Sequence, residues 1–258
     1  HWSDVIDTEK EKEYSLVSVR NLFTLADKQY CPKFSAFMTE EEQALAQPLA
    51  AKLSRNTGME IRFWGGYEGA VRVMLGVFPE GFPVETEDFP IVGYTARCRA
   101  SDKLEHRALL GSLMAQQIRR EMLGDLIPGT GSAVIFADER IEKVLATQID
   151  RIGTIGVRME KGFEPIDTSQ RFVEVRGTLM SLRLDAAVAL LAGTGREKAA
   201  RMIREGLVSV GHVEEKDVSR KLKEGDVLVI RHTGKFRLRE TGGLTKRGRT
   251  VVLFDQYV

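Results

Sequence analysis

The sequence predicts an α+β chain of several domains, and three observations carry that expectation. Helix-like and strand-like patterns alternate in blocks along 258 residues, 43% of them hydrophobic, which is enough to bury more than one core. Residues 90–160 read as strand, helix, two strands, helix, strand. The positive charge gathers at the end: residues 181–258 hold 16 Lys and Arg against 10 Asp and Glu, so a chain of net +1 carries +6 there and −5 over residues 1–180. The expected domains are a helix-rich α/β domain over 1–80, a middle domain over 81–165 and a basic C-terminal domain over 181–258.

Residues 1–59 are mostly helical in pattern. A charged segment around 4–13 leads to Leu16, Val19, Leu22, Phe23 and Leu25 at close to helical spacing. Thr39 followed by Glu40, Glu41 and Glu42 reads as an N-cap with acids in the first turn, where they oppose the helix dipole favourably. That helix runs through Leu45, Leu49 and Leu53, tolerates Pro48 and stops at Asn56-Thr57-Gly58. Ile61–Trp64 and Val71–Leu75 then read as strands joined by the Gly-rich turn 65–69, and Pro79, Gly81 and Pro83 mark a loop.

In the middle block the elements are strand Ile91–Cys98, helix Lys103–Gln116, strand Asp125–Ile127, strand Ala133–Phe136, helix Asp138–Ile149 and strand Thr154–Met159. This is the ferredoxin-like βαββαβ order, which RNA-recognition (RRM-like) domains also use. The order alone licenses no function. Tyr94 is the one aromatic in the first strand, and core packing is expected of it rather than base stacking.

After a linker near 162–180, Leu184, Ala187, Val188, Leu190 and Leu191 form the apolar face of a short helix broken by Gly193-Thr194-Gly195. A second helix over 196–205 buries Ala199, Ala200, Met202 and Ile203. It carries Lys198, Arg201 and Arg204 on its outer face, and Gly206 closes it. Strands follow at 207–210 and 227–231, with turns at Gly211-His212 and Glu224-Gly225-Asp226. Lys246-Arg247-Gly248-Arg249 reads either as a flexible contact or as a turn between two strands.

Several function classes find no support. No apolar run reaches the roughly 20 residues a membrane helix needs. The first residues are charged, unlike a secretory signal, and the chain opens on His1 rather than Met, as a sequence that is truncated or carries added residues at its start would. Cys31 and Cys98 lack CxxC spacing and are expected to be reduced, partly buried thiols without zinc. His212 and His232 lack companion ligands, His106 is expected to serve packing or the surface, and no metal or cofactor is predicted. Gly193-x-Gly195 follows a helix rather than a strand, which speaks against a dinucleotide loop, although the helix it opens can meet a phosphate oxygen. Gly129-x-Gly131 reads as a hairpin turn. No nucleophile–base pair is visible, and no catalytic residue is assigned.

Arg183-Leu184-Asp185, Arg196-x-x-Ala199, Ile203-x-x-Gly206-x-Val208-x-Val210 and Gly225-Asp226-x-Leu228 resemble the S4 RNA-binding domain over about sixty residues. Glu197 departs from the small hydroxyl residue common after the Arg, and Gly211-His212 from the common Asn-Gly turn. Pseudouridine synthases use an Arg-Leu-Asp with a catalytic Asp; here the triplet begins the S4 helix, so Asp185 is expected to orient Arg183. Trp64-Gly65-Gly66-Tyr67-Glu68-Gly69-Ala70-x-Arg72, Phe89-Pro90-Ile91-Val92, the run 106–114, Ile118-Arg119-Arg120-Glu121-x-x-Gly124-Asp125 and Ile152-Gly153-x-Ile155-Gly156-Val157 look like the bacterial YlmH family. That resemblance covers nearly the whole chain. It implies an N-terminal domain, an RRM-like middle domain and a C-terminal S4 domain. It also implies a cytoplasmic factor on the large ribosomal subunit, linked to rescue of subunits carrying peptidyl-tRNA and to cell division.

The basic C-terminal module predicts a non-enzymatic RNA-binding protein, and the resemblance implies large-subunit ribosomal RNA, and further tRNA, as its partners. No membrane or small-molecule substrate is expected. The candidate RNA contacts are Arg183, Arg196, Lys198, Arg201, Arg204, Arg220, Lys221, Lys235 and Arg237, placed on the outer helix face, its N-terminus and adjoining loops. Arg grips a phosphate through two N–H groups and Lys supplies a point charge. The alternatives are an S4-targeted RNA-modifying enzyme and a cell-division adaptor.

Overall fold

The computed structural model describes residues 2–168 and 172–257. The chain divides into two units, His1–Thr168 and Ser169–Val258. Both mix helix and strand, as the sequence predicts.

The first unit opens with α1 (Trp2–Gln29), β1 (Lys33–Phe34), α2 (Glu40–Thr57), β2 (Glu60–Trp64) and β3 (Met74–Phe78). Val19, Phe23 and Ala26 recur at helical spacing on α1 and share a core with Ala46 and Ala50 of α2 and Leu75 and Val77 of β3. Leu25 is 42% exposed. It stands two residues from Phe23, on the far side of the helix, and Ala26 takes the inward position. Thr39 caps α2, its Oγ1 accepting from the Glu42 N–H at 3.2 Å, and Gly58 ends the helix at φ +74°. The sheet order is β1-β3-β2, antiparallel throughout. β3 starts at Met74, later than the run 71–75 suggests, because the N–H groups of Val71 and Arg72 donate to the Asp125 carboxylate instead of to a ladder.

The same unit continues with β4 (Ile91–Arg97), β5 (Lys103–Leu104), α3 (His106–Met114), β6 (Leu123–Ile127), β7 (Gly129–Thr130), β8 (Ser132–Asp138), α4 (Glu142–Gln148), β9 (Arg151–Ile152), β10 (Ile155–Gly156) and β11 (Arg158–Lys161). An antiparallel sheet forms in the spatial order β11-β4-β8-β6. Val92, Tyr94, Ala96, Ala133, Ile135 and Ala137 share one core with Leu109 and Leu113 of α3 and Leu145 of α4. The α3 helix is shorter than its pattern because Lys103 and Leu104 pair with Gly129 and Thr130. The last strand is displaced to 158–161 because Ile152 and Ile155 pair across a small hairpin. Gly131, at φ +80°, turns the chain into β8.

The second unit comprises β12 (Phe172–Leu179), α5 (Leu184–Leu191), α6 (Arg196–Arg204), β13 (Val208–Val210), β14 (Val213–Glu214), β15 (Val227–Ile230), β16 (Gly234–Leu244) and β17 (Thr250–Tyr257). The strands form one antiparallel sheet, β12-β17-β16-β15-β13-β14. Leu184, Ala187, Val188, Ala199 and Ile203 of the helices pack with Val208, Val210, Leu228, Ile230, Phe236, Leu238, Val252 and Phe254 of the sheet. Strand alternation puts those sheet residues on one face, so both helices cover that face.

Much of the segment expected as a linker over 162–180 is an edge strand. Residues 169–171 lie outside the described residues; 172–179 pair with β17 in unbroken register, from Phe172 opposite Tyr257 to Leu179 opposite Thr250. Gly177 lets β12 approach α5 closely: a Cβ there would lie 2.5 Å from the Leu190 side chain, which would have to shift. Residues 245–249 form the turn between β16 and β17, with Gly248 at φ +69°.

Candidate nucleic-acid interface

The basic surface starts from two short helices and a buried acid. Asp185, in the first turn of α5, is 5% exposed. Its carboxylate accepts from Arg183 Nε at 3.1 Å and Nη2 at 3.0 Å, from Arg196 Nη2 at 2.9 Å and from the Ala186 N–H at 2.8 Å. Burial pushes the Asp185 pKa up, but the bonds from Arg183 and Arg196 outweigh it and hold the carboxyl below its ordinary value. The same contact raises Arg183. One buried carboxylate thus orients an arginine at the start of each helix: Arg183, as expected of the Arg-Leu-Asp triplet, and Arg196, which the triplet did not signal. This positioning role accounts for every partner of Asp185 without invoking catalysis.

On α6, Ala199 and Ile203 are buried while Lys198, Arg201 and Arg204 are exposed. Gly195 precedes the helix in an extended conformation, and the chain leaves it through Gly206 at φ +77°. The loop before β15 is tied to the start of α5: the Leu184 N–H donates to the Arg220 carbonyl at 2.9 Å, the Asp185 N–H to the Val218 carbonyl at 3.1 Å, and the backbones of Arg183 and Lys221 pair in an isolated antiparallel bridge. Arg220 Nη1 reaches Glu215 Oε2 at 2.8 Å, and Lys221 is exposed. The structure therefore gathers Arg183, Arg220 and Lys221 about the start of α5 and joins Arg196 of α6 to them through Asp185.

Lys235 and Arg237 lie elsewhere. They alternate with the core residues Phe236 and Leu238 on β16, so they stand on the sheet face opposite the helices. Adjacency in sequence to the S4 pattern suggested a single surface; strand alternation makes two.

Arg249 was not singled out as a contact. Its Nε donates to Thr178 Oγ1 at 3.0 Å and its Nη2 to the Thr178 carbonyl at 2.8 Å. With Arg196, Thr194 and Leu190 it lines a hollow of about 230 Å³ beside α5. The only local signal for it was the basic run 246–249.

In the first unit, two of the family-like motifs converge on Asp125. Its carboxylate accepts from the Tyr67 hydroxyl at 2.7 Å and from the N–H groups of Val71 and Arg72, each at 2.8 Å. Arg72 Nε donates to the Leu123 carbonyl at 2.9 Å and Nη2 to the Arg120 carbonyl at 3.1 Å. Burial, with Arg120 nearby, lowers Arg72 to about 10, and burial and the bond to Asp125 raise Tyr67. Tyr67 stacks on Phe136, ring centroids 4.7 Å apart, and Phe163 packs edge to face with Phe136 at 4.9 Å. Phe136 alternates with the core residue Ile135, so these rings cover the sheet face opposite α3 and α4. That is the face on which RNA-recognition domains stack bases. Tyr94 is buried, its hydroxyl donating to Glu142 at 2.8 Å, in keeping with core packing.

His212 and His232 occupy left-handed turn positions, each at φ 65°, and His106 is exposed at the start of α3. Cys31 and Cys98 are unbridged and partly buried. Among the described residues no cluster of His, Cys, Asp and Glu could hold a metal ion, and no helix is long and apolar enough to cross a membrane.

Comparison with known proteins finds a domain match in each unit. Residues 85–164 match the family model described as "Putative RNA-binding domain in YlmH", and residues 182–228 match the S4 domain. The ribosome-associated protein quality control protein P2 of Bacillus subtilis (strain 168) is 29% identical over 237 residues, 90% of this chain and 90% of that protein. The structure of the cell division protein ylmH from Streptococcus pneumoniae superposes with a TM-score of 0.50 at 21% identity, covering 59% of this chain and 91% of that one, a likeness of fold. Two matched domains in order, with a relative aligned along nearly its full length, bear out the resemblance read from the sequence: the chain carries the RNA-binding domain described for YlmH followed by an S4 domain, and is similar to YlmH proteins along nearly its whole length.

Proposed function

We propose that this protein binds structured ribosomal RNA of the large subunit through its C-terminal module, together with a peptidyl-tRNA when one is present, and works in ribosome-associated quality control in the cytoplasm. The observation that carries the reading is the pairing of Arg183 and Arg196 with buried Asp185, which presents two oriented guanidinium groups beside exposed Lys198, Arg201 and Arg204. Fixed arginines suit phosphates in a folded RNA, whose deep major groove hides its bases and leaves phosphates, 2′-hydroxyls and shape to be read. The S4 match and the likeness to the Bacillus subtilis quality-control protein support the ribosome as the place of action.

The mechanism is differential binding: the protein favours one ribosomal state and shifts its population without a chemical step. The first unit adds a second surface, its βαββαβ order supporting an RRM-like middle domain. With its sheet face covered by Tyr67, Phe136 and Phe163, that domain contacts partners through loops or helices. Sedimentation of cell lysates through sucrose at two salt concentrations tests the reading. Co-migration with the large subunit at low salt and release at high salt is expected; absence from every ribosomal fraction at low salt overturns it. Mass analysis of ribosomal RNA from cells with and without the protein tests the non-enzymatic part, since a modifying enzyme leaves a mass difference.

A further inference from the structure

The sheet face of the second unit that points away from α5 and α6 carries an arrangement unlike ordinary solvated surface. Cross-strand register sets Phe172 beside Tyr257, and Lys235 reaches over the Tyr257 ring. The next row runs Glu174, Asp255, Arg237. The two rings meet edge to face with centroids 5.0 Å apart; Lys235 Nζ lies 4.8 Å from the Tyr257 centroid and Arg237 Cζ 5.3 Å from that of Phe172. Asp255, only 2% exposed, accepts from Arg237 Nη2 at 3.0 Å and from Arg239 Nη1 at 2.9 Å. Its charge is covered by the two guanidinium groups, which remain partly exposed, and Arg239 also contacts Glu174. The surface that results offers aromatic rings and cations.

We propose that this face is a second RNA surface, distinct from the helix face, and that it takes an unpaired, single-stranded segment. Bases stack on Phe172, Tyr257 or the guanidinium plane of Arg237, while Lys235 and Arg239 meet the phosphates. Stacking on aromatic and guanidinium planes with cations along the backbone is the chemistry by which proteins hold single strands, whereas the helix face suits folded RNA. The idea extends the RNA-binding reading above but rests on different residues.

The test uses the full chain and two labelled RNAs, a ten-nucleotide oligouridylate and a stable hairpin, in anisotropy titrations at fixed salt. Three proteins are compared: the original, Phe172→Leu with Tyr257→Leu, and Arg196→Ala with Arg201→Ala. Leucine keeps apolar bulk on the strands, and circular dichroism confirms folding. The ring variant is expected to lose at least about tenfold in oligouridylate affinity with hairpin binding unchanged. Unchanged oligouridylate affinity in a folded ring variant overturns the proposal and leaves the face to a protein partner. Equal losses for both RNAs overturn it in favour of a single surface. If the original chain binds the hairpin but not the oligouridylate, this inference falls and the helix-face reading stands; if the arginine variant keeps hairpin affinity while the ring variant loses the single strand, the reverse holds.

Discussion

Arg196, the first residue of α6, is bonded through Nη2 to Oδ2 of Asp185, a buried residue of α5, at 2.9 Å. The contact joins two helices and aims a cation at the same time. It predicts that Asp185→Ala weakens folding and binding together. Two arginines lose their acceptor and the Ala186 N–H loses its capping oxygen. Because both guanidinium groups are partly exposed, the expected loss is about 1–3 kcal/mol in a urea titration, with weaker hairpin RNA binding under conditions where the variant is still folded.

Acid should act through the same site. The Asp185 and Glu215 carboxyls are held below their ordinary values. A carboxyl with a depressed folded-state pKa stabilises the fold above its unfolded value, and that contribution is lost as pH falls through the folded value. The urea midpoint is therefore expected to be insensitive to these groups between about pH 5 and 7 and to fall below about pH 4. Asp185→Asn should make the acid limb shallower, and an acid limb identical to that of the original chain would remove Asp185 from this role.

For the helix face, Arg196→Ala with Arg201→Ala should lower affinity for structured RNA and reduce the magnitude of the log–log salt slope by about 2, roughly one for each lost phosphate contact. Lys52→Ala, an exposed change on α2, serves as the control and should leave both quantities unchanged. An unaltered slope in the folded double variant would remove these two arginines from the interface.

Asp125→Ala in the first unit strands three donors, the Tyr67 hydroxyl and the N–H groups of Val71 and Arg72. The expected cost is about 2–4 kcal/mol, against about 1 kcal/mol for Tyr67→Phe, which removes one bond. Chemical denaturation of each variant checks the ranking; similar losses for the two would mean that the backbone donors find other partners.

Local chemistry was enough to mark many elements. The α2 helix announces itself because Thr39, three glutamates and Gly58 act within one turn of each end. The α5–α6 pair is visible because its apolar spacing and its glycines at 193, 195 and 206 are local too. The nine basic candidates were found by type, and seven of them lie on α6 or about the start of α5.

Other features depend on residues that meet only after folding. β12 hid in an apparent linker because its partner strand is at the far end of the chain. Val71 and Arg72 left their strand pattern for a carboxylate more than fifty residues away. Lys235 and Arg237 were separated from the other cations by the two-residue period of a strand, which sends neighbours to opposite faces once the sheet has a buried side. By itself, the sequence determined the α+β class, the helix boundaries set by caps and the basic character of the C-terminal module, because these follow from near neighbours. Only the tertiary structure decided which cations share a face, which carboxylates orient them and which aromatic rings stay open, because each depends on a contact between residues distant along the chain.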